Sequence, residues 1–139
     1  MRLASLRACC CFVEALENAT DRAKFQDLLP AMLQTLGGAL QGNDESSAQE
    51  ALGMFVDLAG SDPRFVRKHL SHIVDAMMTI AEHDDLEDGT RHLATEFLVT
   101  LCEARDRAPG MMRKLPNFVP RLFNCLTSFL LDVEDDASW

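Results

Sequence analysis

Three consecutive cysteines, Cys9, Cys10 and Cys11, are the residues whose type most invites chemistry, and their spacing argues against it. Neighbours on a helix point about 100° apart, so the three cannot converge on one metal ion, and no C-x-x-C pair occurs. Cys102 and Cys125 stand among apolar residues, where a reduced thiol acts as a small hydrophobe. An odd total of five cysteines therefore predicts a reducing compartment, cytosol or nucleus, rather than a disulfide framework. His69 and His72 lie three apart and can share one helix face, yet no HExxH and no nearby third ligand accompany them. Glu82, Asp84, Asp85, Glu87 and Asp88 crowd one stretch, but Asp84 is followed by Asp85 and Leu86 without the alternating ligands or distal glutamate of a calcium loop. A capped, solvated turn is expected there, since acids favour helix N-termini. No phosphate loop, no G-x-S-x-G and no glycine-rich turn after a strand is present, so neither an enzyme nor a cofactor is expected.

Charge narrows the partners. Among 139 residues, 13 Lys and Arg face 22 Asp and Glu, a formal net charge of −9. Nucleic-acid affinity rests on Lys and Arg neutralising phosphates, and no basic stripe is visible, so a basic protein is the better-suited partner. The 47% hydrophobic and 25% charged composition is that of a foldable single domain. No secretory leader is read at the start, where Arg7 precedes and Glu14 and Glu17 follow the apolar run, and no apolar run reaches the roughly 18 residues a membrane span needs. A soluble chain is expected, in contact with no membrane.

The elements that must position these residues are helices. Strand-favouring residues are sparse, Tyr is absent, and apolar positions recur at three- and four-residue steps. Punctuation divides the chain into segments 1–18, 24–41, 45–60, 63–82, 86–106 and 109–131. Gly42-Asn43-Asp44 stops the second, Ser46 with Gln49 suggests a capping box for the third, and Asp62-Pro63 and Ala108-Pro109-Gly110 read as helix starts. Pro30, Pro116 and Pro120 are expected to kink the second and sixth helices.

Two helix families interleave. A shift of 44 carries Leu29, Pro30, Leu33 and Leu36 onto Ile73, Val74, Met77 and Ile80, and a further 46 reaches Val119, Pro120, Phe123 and Leu126. A shift of 43 carries Ala8, Phe12, Val13 and Glu14 onto Ala51, Phe55, Val56 and Asp57, then onto Ala94, Leu98, Val99 and Thr100. A period of 43 to 46 falls in the range of HEAT or armadillo repeats, and the two-helix unit favours HEAT. The expected fold is an all-α HEAT-repeat solenoid fragment of about six helices, ordered B, A-B, A-B, A. Segment 1–18 is helix B of a truncated repeat, 24–60 and 63–106 are repeats, and 109–131 is helix A of another. Such a right-handed stack buries Leu33, Leu36, Leu52, Phe55, Met77, Ile80, Phe97, Leu98, Leu101, Phe123 and Leu126. Half repeats at both ends lack polar caps and would leave apolar faces open to self-association.

The wording of the sequence carries a resemblance. Ala15-Leu16-Glu17-Asn18 through Asp21-Arg22, Phe25-Gln26-Asp27-Leu28-Leu29-Pro30-Ala31-Met32-Leu33, Ala48 to Leu52, Pro63-Arg64-Phe65, Thr90 to Ala94, Arg107 to Pro116 and Leu131 to Asp136 follow the order and spacing of the importin-beta superfamily. The branch it resembles is the importin-5 or karyopherin-beta-3 one, plant members especially, and the resemblance spans nearly the whole chain. The cysteine triplet within Arg2 to Cys11 departs from it. The resemblance implies a central segment of a nuclear transport receptor, shuttling between cytoplasm and nucleus. It implies basic cargo such as ribosomal proteins or histones, nucleoporin Phe-Gly repeats, and the Ran GTPase contacted through the full-length receptor only.

In such solenoids the B helices line the concave surface. The repeat register aligns Glu14, Asp57 and Thr100, with Glu96 one turn earlier and Glu17 and Glu103 one turn later; together with Glu50 these make an acidic ladder suited to basic cargo. An ordinary solvated helix face is the plain alternative, because single exposed pairs contribute only about 0–1 kcal/mol. Val74 and Met78, beside core positions Ile73, Met77 and Ile80, are the candidates for a Phe-Gly groove between A helices. Phe65, Phe118, Phe123 and Phe129 on A helices read mainly as core, and Arg64, Arg67 and Lys68 as a solvated basic first turn. A HEAT scaffold that assembles other proteins without transport, or a truncated form without transport activity of its own, remains open beside the receptor reading.

Overall fold

A computed structural model of the chain describes residues 3–131. Among the described residues seven α-helices follow one another: α1 (Leu3–Ala15), α2 (Ala19–Lys24), α3 (Leu29–Gln41), α4 (Glu45–Ser61), α5 (Leu70–Ala81), α6 (Asp88–Glu103) and α7 (Phe118–Leu131). No strand occurs among the described residues. The acidic run expected at 132–136 lies outside them.

The helices sort into two layers. α1, α4 and α6, the B family, pack side by side, with α4 between its two neighbours; α3 and α5, the A family, pack against α4 and α6 respectively. Phe55 of α4 meets Phe97 of α6 edge to face at 6.1 Å, both fully buried, and Leu52, Leu58, Leu98 and Leu101 complete that seam. Most telling is the sequence separation of the polar links. Among the described residues, every side-chain hydrogen bond joining residues more than 10 apart spans 38 to 47 residues. Each unit touches the next and skips none, which is how a repeat stack is built.

The A helices begin later than the sequence pattern suggests. Residues 25–28, 65–69 and 112–114 form 3-10 turns ahead of α3, α5 and α7, where unbroken helices from 24, 63 and 109 are expected. The prolines explain this. Pro30 sits in the first turn of α3, Pro116 precedes α7 and Pro120 is its third residue, so the missing N–H groups fall at helix starts and no mid-helix kink results. Asp62 ends α4 rather than beginning a helix, and its Oδ1 accepts the Arg64 N–H at 3.2 Å. The α4 N-cap is Asp44, whose Oδ1 accepts the Ser47 N–H at 3.1 Å; Ser46 is not the cap, and Gln49 reaches to Glu87 and Thr90 of the next repeat instead.

Two registers also shift. Leu6, Cys10 and Val13 are the buried residues of α1 and match Ala48, Leu52 and Phe55 at an offset of 42, not 43. A one-residue slip turns a helix by about 100°, so Phe12 is 53% exposed, with its ring edge on Phe25 at 5.3 Å. On α7 the offset from α5 is 44, not 46: Phe118, Leu122 and Cys125 follow Val74, Met78 and Ala81 inward. Phe123 and Leu126, expected in the core, are 69% and 37% exposed for that reason, beside exposed Val119 and Leu130. The other nine expected core residues are buried.

Candidate functional site

The B layer presents the acidic residues. Glu14 on α1, with Glu50 and Asp57 on α4, lines one cavity of about 420 Å³ between the two helices, shared with Arg7, Cys10, Cys11, Gly53 and Met54. Arg7 pairs with Glu50, the more sheltered of the three carboxylates. Glu14 and Asp57 are exposed and have no cationic partner among the described residues. Their field is felt nearby: burial first, then Glu14, pushes the Cys10 thiol up to about 12, with Asp57 adding to the shift. Glu96 and Glu103 stand exposed and unpaired on α6, one helix further along the layer, and Glu17 is exposed in the turn after α1. The structure therefore gathers Glu14, Glu50 and Asp57 at one groove and sets Glu96 and Glu103 on the adjoining helix.

Most other acids are occupied. Asp62 takes Arg22 at 3.0 Å across the repeat boundary, and Arg121 joins α7 to Asp75 at 2.6 Å and Glu82 at 2.7 Å. The acidic turn 82–88 is laced rather than merely solvated. Arg91, 6% exposed, donates to the Ala81 carbonyl at 3.2 Å and to Asp84 at 3.0 Å, while its guanidinium lies 4.8 Å from the Phe129 ring centre. No group of three or more His, Cys, Asp or Glu capable of holding a metal ion occurs among the described residues, and the five cysteines are unpaired. No described helix is long and apolar enough to cross a membrane.

The A layer is grooved. Val74 and Met78 line a cavity of about 420 Å³ between α5 and α7, with Leu115, Phe118 and Arg121, but they are only 5% and 1% exposed and belong mainly to the core. A second, more apolar groove of about 370 Å³ runs between α3 and α5, walled by Pro30, Leu33, Leu36, Gly37, Leu40 and Ala76. Sequence reasoning misses it because small Gly37 and Ala76, which line the groove between two A helices, carry no periodic signal.

Comparison with known proteins supplies a context for these surfaces. A family model described as IPO5-like, TPR repeats matches residues 1–76, and one described as Importin repeat matches residues 83–139. A probable importin-5 homolog from Dictyostelium discoideum is 26% identical over 135 residues, covering 97% of this chain. The chain spans 12% of that relative's length.

Proposed function

Because the chain belongs to the importin-5-like family, we propose that it is a segment of a nuclear transport receptor that binds basic protein cargo on its B layer and helps carry it through the nuclear pore. The single observation that carries this reading is the set of unpaired carboxylates on one layer. Glu14, Asp57, Glu96 and Glu103 find no cation among the described residues, whereas the acids at the repeat boundaries are consumed by structure. Basic segments, such as those of ribosomal proteins or histones, would pair there, steered by the net charge of −9. The A-layer grooves suit the aromatic side chains of nucleoporin Phe-Gly repeats. Ran contact belongs to the full-length receptor, and the chain would share its passage between cytoplasm and nucleus. The importin family is one of transport receptors, not of enzymes, and a binding surface of this kind requires no cofactor.

The test is a fluorescence titration of a basic ribosomal-protein segment against the chain at low and physiological salt, repeated with E14K/D57K/E96K/E103K. The proposal expects binding that weakens as salt rises and is lost in the reversed variant. Equal binding by wild type and variant would defeat it. A non-transport scaffold would instead hold a neutral or acidic folded partner with little salt dependence.

A further inference from the structure

One cavity, of about 640 Å³, is not acidic. It opens where the 3-10 turn 65–69 and the start of α5 face the loop that follows α6. Arg64, Arg67, Lys68 and Lys114 line it, and no carboxylate does, in a chain whose net charge is −9. Two of these cations have structural employment: Arg64 Nε donates to the Arg107 carbonyl at 2.7 Å, and Lys68 pairs with Asp27 of the preceding repeat. Arg67 and Lys114 are exposed and form no ion pair or side-chain hydrogen bond among the described residues. The floor is apolar, formed by Leu70, Met111 and Leu115 with Pro109 and Pro116. Gly110, which also lines the cavity, has φ +72°, a backbone shape that a Cβ would strain.

We propose that this cavity is a docking site for a peptide segment in which acidic residues alternate with apolar ones. The cations select the charge, and the floor selects the rest of the ligand. A bare phosphate has no apolar atoms to offer Leu70, Met111 and Leu115, and a sugar–phosphate backbone offers no side chain to bury among them, so those ligands would leave the floor wet. The site is separate from the acidic groove of α1 and α4, and it stands whether or not that groove binds cargo. It gives the segment two docking surfaces of opposite sign: one for basic and one for acidic partners.

Fluorescence anisotropy of a short labelled peptide alternating glutamate and leucine, titrated with the 139-residue chain, tests this directly. R67A/K114A is the informative variant, because it spares Arg64 and Lys68, whose loss disturbs the stack. Binding is expected to weaken about tenfold in that variant and to weaken with salt, each cation accounting for about threefold. A peptide of glutamate and serine should bind less tightly than the glutamate–leucine peptide. Unchanged binding in R67A/K114A, with thermal melts matching wild type, would overturn the site. Equal binding of both peptides, or tighter binding of a single-stranded RNA lost in the same variant, would overturn the apolar-acidic peptide as its ligand.

Discussion

Cys10 shows how much context a single residue carries. It is 5% exposed, and burial with Glu14 close by raises its thiol from its ordinary value near 9 to about 12. A raised acid keeps its proton in the folded chain while the unfolded chain ionises. Its contribution to stability is thus complete below about pH 9 and declines as pH rises toward about 12. At neutral pH Cys10 should alkylate only on global unfolding, whereas exposed Cys11 should react first; intact-mass analysis of a timed iodoacetamide reaction reads the order. Modification of both at one rate would contradict the packing of α1. The triplet looks like a reactive cluster in sequence, and its three members have three different fates because a helix points them apart. Arg91 is the reverse case. Its charge signals a surface residue, yet it is buried, and its ties to Ala81, Asp84 and Phe129 come from elements 10, 7 and 38 residues away that no local pattern reveals.

Helix boundaries were legible where side chains write them and obscure where backbone geometry does. The turn Gly42-Asn43-Asp44 was readable, although the cap proved to be Asp44 rather than Ser46. Hydrogen bonding to Ser47 holds the Asp44 carboxyl below the usual carboxylate range, so its stabilisation is present at neutral pH and disappears as acid protonates it. Asp44→Ala should lower the melting temperature by a few degrees at neutral pH, and the gap from wild type should close in strong acid. The 3-10 lead-ins were not legible, since 3-10 and α share the same apolar spacing over one turn. The register of α7 failed for a related reason. Its sequence is apolar on more than one side, with Phe118, Val119, Leu122, Phe123 and Leu126 within nine residues, so periodicity alone offers two inward faces. Arg121 decides between them by reaching Asp75 on α5 and Glu82 at its C-terminal cap. Arg121→Ala should raise amide exchange in α7 about tenfold while leaving the α4–α6 seam protected. Equal loss of protection in both would mean that α7 is not a separately docked element.

The described residues form a ladder in which each repeat meets its neighbour, and that architecture allocates their charges. Acids and bases at repeat boundaries hold the stack together; unpaired carboxylates remain on the B layer at Glu14, Asp57, Glu96 and Glu103, and two unpaired cations, Arg67 and Lys114, line the cavity beside the start of α5. The all-α class, the repeat period and the exposed acidic residues could be read from sequence, because each depends on one-dimensional spacing. The grooves and the basic cavity could not, since they arise where residues about one repeat apart face each other.

The central claim is that the exposed face of the B layer receives basic protein. The most direct measurement is an amide nuclear magnetic resonance titration of the chain with a basic ribosomal-protein segment. The account predicts shifts concentrated at Glu14, Gly53, Asp57 and Glu96 on α1, α4 and α6, fading as salt is added. Shifts centred on α3 and α5, or a spectrum unchanged by the segment at low salt, would contradict it.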